Sequence, residues 1–267
     1  MTRTDCKAQG KTCLTMDRWR GRVALVTGAS VGIGAAICRE LVKHGMKVVG
    51  CARNVKQVEE LAAELKDCTG SLTALHCDLT QSDQIEAMFG TIREQLGGVD
   101  VCINNAGLSF AGSLINGDVE KWRTMLNVNV LALAHCSQLA IRSMKERDAA
   151  EGQIININSL SGHRVVVNPD VHFYAGTKFA VTALTEGLRQ EMAAEPPTKI
   201  RVAQISPGMV STEFAFRMHG GDAVKGERSM KLGIDASNIA NAVIYILSTP
   251  QDMQVHDILL RPTAQTT

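Results

Sequence analysis

The sequence predicts an α/β fold: a single domain built on a doubly wound parallel β-sheet with helices on both faces. Three observations carry this. Short apolar runs alternate with longer segments whose apolar residues recur at three- and four-residue steps, which is βαβ patterning. Most of the runs are continuous rather than alternating, as strands buried on both faces of a parallel sheet must be. The first run ends in a glycine-rich turn that opens directly into a helical pattern, the local plan of a phosphate-binding βα unit.

Taken in order, the first strand is expected at Val23–Thr27 ("VALVT") and its helix over 32–45. Lys47–Cys51 and the helix over 55–66 follow, then Ser71–Cys77 and the helix over 82–96. Val99–Ile103 leads into the longest helical pattern, 119–146. Gln153–Asn158, the helix over 174–193, Ile200–Ser206, the helix over 235–248 and Ile258–Leu260 complete the set. No repeat or interdomain linker interrupts the pattern. Residues 1–20 are polar and mildly basic, lack the apolar segment of a secretory signal, and are expected to form a flexible leader before a domain at 21–267. The Gly- and charge-rich stretch "FRMHGGDAVKGERSMKLG" within 211–233 follows a strand end, where ligands bind in this architecture. A mobile substrate loop or lid is expected there.

Composition narrows the function. With 267 residues, 45% hydrophobic and 21% charged, the chain has the make-up of one soluble globular domain. A formal net charge of +1 gives no field for nucleic acid or an anionic membrane surface, and no apolar run reaches bilayer-spanning length. The eight cysteines contain no Cys-x-x-Cys pair. Several lie inside strand patterns, so free thiols in a reducing, cytoplasmic setting are expected, with neither disulfides nor a metal site.

The turn "VTGASVGIGAAICREL" places Gly28, Gly32 and Gly34 between strand and helix. Residues without Cβ let the backbone approach a pyrophosphate, whose charge the helix N-terminal amides stabilise. The spacing, Gly-x-x-x-Gly-x-Gly, differs from the Gly-x-Gly-x-x-Gly of other dinucleotide folds. Many NAD enzymes end the second strand with an acid that accepts from the ribose 2′-hydroxyl. Here "VVGCARN" offers Ala52 and then Arg53. A carboxylate would repel a 2′-phosphate, whereas a guanidinium pairs with it, so NADP(H) is expected over NAD(H).

"NNAG" at 104–107, Ser159 after the fifth strand, Tyr174-x-x-x-Lys178 and the glycine turn stand in an order that resembles the short-chain dehydrogenase/reductase family, in its single-domain Rossmann-type branch. The resemblance covers about residues 20–262. It implies a catalytic set of Asn129, Ser159, Tyr174 and Lys178. It also implies cofactor contacts from Gly28, Ser30, Gly32, Ile33, Gly34, Arg53, Asp78, Leu79, Asn105, Ala106, Gly107, Pro207, Gly208, Val210 and Thr212, besides Tyr174 and Lys178. Asn104 is expected to tie strand ends together. The implied chemistry is interconversion of a carbonyl and an alcohol with NADP(H). "KVVGCARN", "INSLSGHR", "HFYAGTKFAVTALTEGLRQE" and "DILLRPT" narrow the resemblance to members acting on medium-sized apolar molecules: ketosteroids, dicarbonyls or isoprenoid alcohols. A homodimer or homotetramer is implied as well, with the apolar 235–248 segment serving either an interface or the core.

The chemistry also follows from the residues. A developing alkoxide needs a proton and hydrogen-bond donors. Tyr174 and Lys178, at i and i+4, share a helix face. An ammonium about 4 Å from a phenol is worth roughly 4 kcal/mol at an effective dielectric near 20. That predicts a tyrosine lowered by about three pH units from its ordinary value near 10. Ser159 would donate to the substrate oxygen. Asn129, inside an apolar helical run, needs buried partners, and the family role of holding a proton-relay water would supply them.

Tyr174 lies fifteen positions after Ser159, so "GHRVVVNPDVHF" is expected to form an enlarged pocket wall. His163 and His172 within it are read as scaffolding rather than acid/base groups. Gly176 is read as a close approach of backbone or cofactor. The alternative function is an NADPH-binding regulatory or scaffold protein that keeps the fold without turnover, whose mark would be a missing member of the catalytic set. An epimerase or dehydratase of the longer branch would need more chain after the sixth strand.

Overall fold

The computed structural model describes residues 14–149, 151–195, 199–218 and 221–265. β1 (Val23–Thr27) feeds α1 (Gly32–Lys43), and β2 (Lys47–Ala52) feeds α2 (Val55–Glu64). β3 (Ser71–His76), α3 (Ser82–Leu96) and β4 (Val101–Asn104) follow. The chain then forms α4 (Val119–Leu126), a π-helical turn (Asn127–Ala132) and α5 (Leu133–Glu146). β5 (Gly152–Ile157), α6 (His172–Ala193) and β6 (Ile200–Pro207) come next. The short helices α7 (Phe214–Met218) and α8 (Ala223–Leu232), α9 (Ala236–Ser248) and β7 (Asp257–Leu260) close the series.

All seven strands pair in parallel in the order β3-β2-β1-β4-β5-β6-β7. The continuous apolar runs are explained by burial: β1, β4 and β5 are covered along their whole length. One layer packs α1 and α9 on the sheet through Ile37, Leu41, Ile239, Val243 and Leu247. The opposite layer packs α3 and α5 through Ile85, Met88, Ile92, Cys136 and Met144. The chain reverses its winding between β1 and β4, which opens a crevice at their carboxyl ends.

Four expectations change. Residues 1–13 of the predicted leader lie outside the described residues, but its end is not flexible. Trp19 is fully buried and its indole N–H donates to the Leu247 carbonyl (2.8 Å), while Arg18 Nε faces Glu151 at 3.2 Å. An aromatic inserted into the core outweighs the polarity of its neighbours. The 211–233 segment is not an irregular loop: α7 and α8 form, and the Phe216 ring packs against the backbone at Gly226. His219 and Gly220 lie outside the described residues.

Third, Val119–Glu146 is long and apolar enough, by length and composition, to cross a bilayer, contrary to the sequence expectation. In the fold it is a core helix. Met125, Ala132 and Ala140 are buried, and the buried Ser137 hydroxyl donates within the helix while accepting from Asn104. Fourth, Gly176 marks no close approach of neighbouring backbone, since a Cβ there would meet no protein atom within 4 Å. The six described cysteines, Cys38, Cys51, Cys68, Cys77, Cys102 and Cys136, are free; Cys6 and Cys13 lie outside the described residues. Among the described residues no group of three metal-binding side chains gathers.

Candidate active site

A single cavity of about 1530 Å³ runs along the carboxyl ends of the strands. That exceeds the 300–1,000 Å³ or so of an ordinary small-ligand pocket and leaves room for a dinucleotide with a second molecule beside it. Its floor at the β1–α1 turn is backbone. Gly28 and Gly32 take left-handed φ values of +66° and +58°, which side chains disfavour. Gly28, Ser30, Gly32 and Ile33 line the cavity. No side chain caps α1 and its first turn holds no acid, so its N-terminal amides remain available to an anion. Gly34 departs from expectation: it stands behind the cavity wall, where a Cβ would collide with the Gly28 carbonyl and the Asn105 amide. Its task is to let the helix abut the turn.

The "NNAG" loop braces this turn. Asn105 Nδ2 donates to the carbonyls of Thr27 (2.9 Å) and Gly28 (3.1 Å), and the Thr27 hydroxyl accepts from the backbone of Asn105 and Ala106 (both 3.0 Å). Asn105, Ala106 and Gly107 still face the cavity. Asn104 is structural, as expected, donating to Ser137 Oγ and Asn156 Oδ1 (both 2.8 Å). At the β2 end, Arg53 lines the cavity and is exposed, and no hydrogen bond or ion pair engages it among the described residues. Asp78 and Leu79 lie opposite. The Asp78 carboxylate is held below its ordinary range by hydrogen bonds from Thr80, with Arg53 and His76 adding to the pull. These features, an uncapped helix start, a Cβ-free cradle and an unpaired guanidinium, fit a phosphate-bearing dinucleotide.

At the other end, Ser159, Tyr174 and Lys178 converge on the same cavity. Tyr174 is 5% exposed and Lys178 is 4% exposed. The Ser159 side chain is near enough to Tyr174 to act on its phenol. Lys178 Nζ donates to the Ile157 carbonyl at 2.9 Å and lies 5.8 Å from the centre of the Tyr174 ring. The expected lowering of the phenol by the lysine is not found. Burial pushes Tyr174 up to about 12, with Ser159 pulling the other way, and burial drags Lys178 down to about 8. Loss of solvation outweighs attraction here because both groups leave water, and the ammonium is committed to a backbone carbonyl.

Protein atoms engage the Asn129 amide on both sides. Nδ2 donates to the Leu108 carbonyl (2.9 Å) and Thr177 Oγ1 (3.0 Å), while Oδ1 accepts from Leu108 N–H (2.9 Å). Thr177 in turn donates to the Tyr174 carbonyl at 2.7 Å. Asn129 sits in the π-helical turn, one layer behind the cavity, and such turns recur at functional sites.

The description "short chain dehydrogenase" belongs to a family model that matches residues 22–219. The chain belongs to the short-chain dehydrogenase/reductase family. Dehydrogenase/reductase SDR family member 11 of Gallus gallus is 54% identical over 254 residues, covering 94% of this chain and 99% of that protein. Farnesol dehydrogenase of Aedes aegypti is 41% identical over 254 residues, covering 94% and 99%. Among solved structures, an alcohol dehydrogenase from the archaeon Thermococcus sibiricus complexed with 5-hydroxy-NADP has a TM-score of 0.81 at 29% identity, covering 93% of this chain and 99% of its own. The match is to an oxidoreductase family whose fold binds a nicotinamide cofactor.

Pro207, Gly208, Val210 and Thr212 of this family member line the cavity. His163 Nε2 lies 2.9 Å from Ser206 Oγ and 3.0 Å from Asp257 Oδ2, and His172 Nε2 lies 3.1 Å from the Val166 carbonyl. Both are scaffolding for the wall between Ser159 and Tyr174. Several lining residues carry no sequence signal. Gln265, near the chain end, accepts from Met209 N–H at 3.0 Å, and the Phe214 ring of α7 lies 5.7 Å from that of Tyr174. Only the tertiary fold brings them in.

Proposed function

We propose that this protein is an NADP(H)-dependent oxidoreductase interconverting a carbonyl and an alcohol on a medium-sized apolar substrate: a ketosteroid, a dicarbonyl or an isoprenoid alcohol. The observation that carries the reading is the joining of Ser159, Tyr174 and Lys178 to the β1–α1 glycine turn by one cavity. NADP(H) over NAD(H) is supported by the unpaired Arg53 and the absence of an acid where β2 ends. Leu160, Val166, Val171, Met209 and Phe214 give the substrate end apolar walls.

When bound, the nicotinamide supplies hydride to a carbonyl carbon or takes it from an alcohol carbon. Tyr174 holds its proton throughout the neutral range and gives it to the oxygen as negative charge develops, a contribution of about 10²–10⁴-fold for a positioned acid. Ser159 donates a hydrogen bond to the same oxygen. Lys178, a cation below about pH 8, stabilises the phenolate that remains. Asn129 is a positioning residue, tying the Leu108 backbone to α6 through Thr177.

A homo-oligomer belongs to this reading. α9 uses its apolar face on α1, so the surface that supports association lies elsewhere, in the exposed Leu131, Phe179 and Leu184. The free thiols support a reducing, cytoplasmic setting.

Paired kinetics with NADPH and NADH against steroids, diketones, retinoids and farnesol test the proposal. Turnover with NADPH on at least one class is expected. No consumption across the whole panel would overturn it and favour a cofactor-binding scaffold.

A further inference from the structure

The turn that carries Ser159 is tied to β6 and β7 through His163. Ser159 opens a short 3-10 turn, Leu160–Gly162, and His163 closes it. Gly162 N–H donates to the Ser159 carbonyl (2.9 Å) and His163 N–H to that of Leu160 (3.1 Å). The Ser159 hydroxyl accepts from Ser161 N–H at 3.1 Å. That bond uses an oxygen lone pair and leaves the hydroxyl hydrogen for a partner in the cavity. The direction in which Ser159 donates is therefore set by this turn.

The inner side of the turn is held by α6, where the Thr182 hydroxyl donates to the Gly162 carbonyl at 3.0 Å. The outer end leads into Val165 and Val167, 62% and 105% exposed, so these side chains give the turn no packed anchor. His163 supplies one. Its Nε2 lies 2.9 Å from Ser206 Oγ on β6 and 3.0 Å from Asp257 Oδ2 on β7. Ser206, fully buried, gives its hydrogen to Asp257 (2.8 Å to Oδ1), which also accepts from Gln204 Nε2 at 2.9 Å. Both atoms facing Nε2 are thus acceptors, and a bare ring nitrogen would set its lone pair against a carboxylate. This arrangement puts the hydrogen on Nε2 and makes His163 a donor to two acceptors at once.

We propose that His163 is a positioning residue: by donating to Ser206 and Asp257 it fixes the Ser159 turn, so that Ser159 meets the substrate oxygen as hydride is transferred. This rests on the carbonyl–alcohol reading above. The cofactor side of the cavity does not depend on the same tie. Ser206 keeps Asp257 without His163, and the adjoining loop is held by Gly208 N–H to the Leu260 carbonyl (2.7 Å) and Met209 N–H to Gln265 (3.0 Å). Loss of His163 should therefore separate turnover from cofactor binding.

Kinetics on the full chain, with whichever steroid, diketone, retinoid or farnesol turns over fastest, test this. His163→Phe keeps a ring but no donor. It is expected to lower kcat by about 10- to 100-fold, the range that misplacing a reacting group costs, while the NADPH dissociation constant moves by less than about twofold. His163→Gln offers an N–H at similar reach and is expected to recover most of the loss. In a Ser159→Ala background His163→Phe is expected to cost less than about twofold more, because residues acting as one unit are not additive. An unchanged kcat, equal loss with and without Ser159, no recovery by His163→Gln, or NADPH affinity falling in step with kcat would overturn the proposal.

Amide hydrogen exchange reads the tie without turnover. The N–H groups of Ser161, Gly162 and His163 are expected to exchange about 10-fold faster in His163→Phe and at the wild-type rate in His163→Gln. If the wild type turns over no substrate while this exchange still depends on His163, the catalytic reading falls and the tie that fixes the turn stands. If the wild type turns over and His163→Phe changes neither exchange nor kcat, the tie falls and the catalytic reading stands.

Discussion

Replacing Lys178 with Met deletes a buried cation while keeping an unbranched side chain of similar length. Burial lowers the lysine from its ordinary 10.5 to about 8. At about 1.4 kcal/mol per pH unit, the charged form costs the fold about 3 kcal/mol at neutral pH. The variant loses the hydrogen bond to the Ile157 carbonyl, which returns about 1–2 kcal/mol. Lys178→Met is therefore expected to be more stable than the wild type by about 1–2 kcal/mol at pH 7, or about 2–8 °C in Tm for a chain of this size, although it abolishes turnover. The sign of the pH dependence follows from the direction of the displacement. A lysine whose folded value lies below its unfolded value binds fewer protons in the fold between about 8 and 10.5, so wild-type stability rises through that window relative to a variant with nothing to titrate. The advantage of Lys178→Met should shrink above pH 8 and reverse by about pH 10. Urea unfolding of both proteins at the two pH values measures the difference directly. A variant that is less stable at pH 7, by an amount that does not change with pH, would refute the claim that burial penalises this cation.

Other perturbations have equally definite expectations. Arg53→Ser should raise KM for NADPH by about 10-fold or more and leave that for NADH nearly unchanged, because one charge-assisted phosphate contact is lost; steady-state kinetics decide it. Asn129→Ala strands the Leu108 N–H and carbonyl and should cost about 2–4 kcal/mol in urea unfolding, with cofactor affinity falling as the loop at 106–108 loosens. Trp19→Ala empties a fully buried site and should cost about 3–5 kcal/mol by the same assay, which a flexible leader would not.

What could be read from the sequence follows the physics of each element. The seven strands were legible because burial on both faces leaves no room for polar alternation, and "VALVT" or "QIININ" shows that directly. The glycine turn was legible because positive φ at Gly28 and Gly32 excludes other residues locally. α7 and α8 were not, since their glycines and charges imitate a loop and their order comes from contacts such as Phe216 with Gly226. Trp19 was hidden among polar neighbours because its partner, Leu247, is more than two hundred residues away. The proposed catalytic residues were identifiable from order and spacing, but not their proton affinities. Coulomb attraction can be guessed from an i, i+4 pair, whereas desolvation depends on a burial that only the packed site defines. Gln265 gave no signal for a related reason: facing a cavity is a tertiary property.

The central claim is that Tyr174 protonates an oxygen while the adjoining carbon receives hydride from NADPH. Incubating the full chain with NADPH deuterated at the transferred C4 position and a carbonyl substrate, then weighing the alcohol, tests it most directly. The account predicts an alcohol carrying one deuterium on carbon, formed by the wild type and reduced about a hundredfold or more with Tyr174→Phe despite retained NADPH binding. An alcohol without deuterium, or undiminished transfer by Tyr174→Phe, would contradict it.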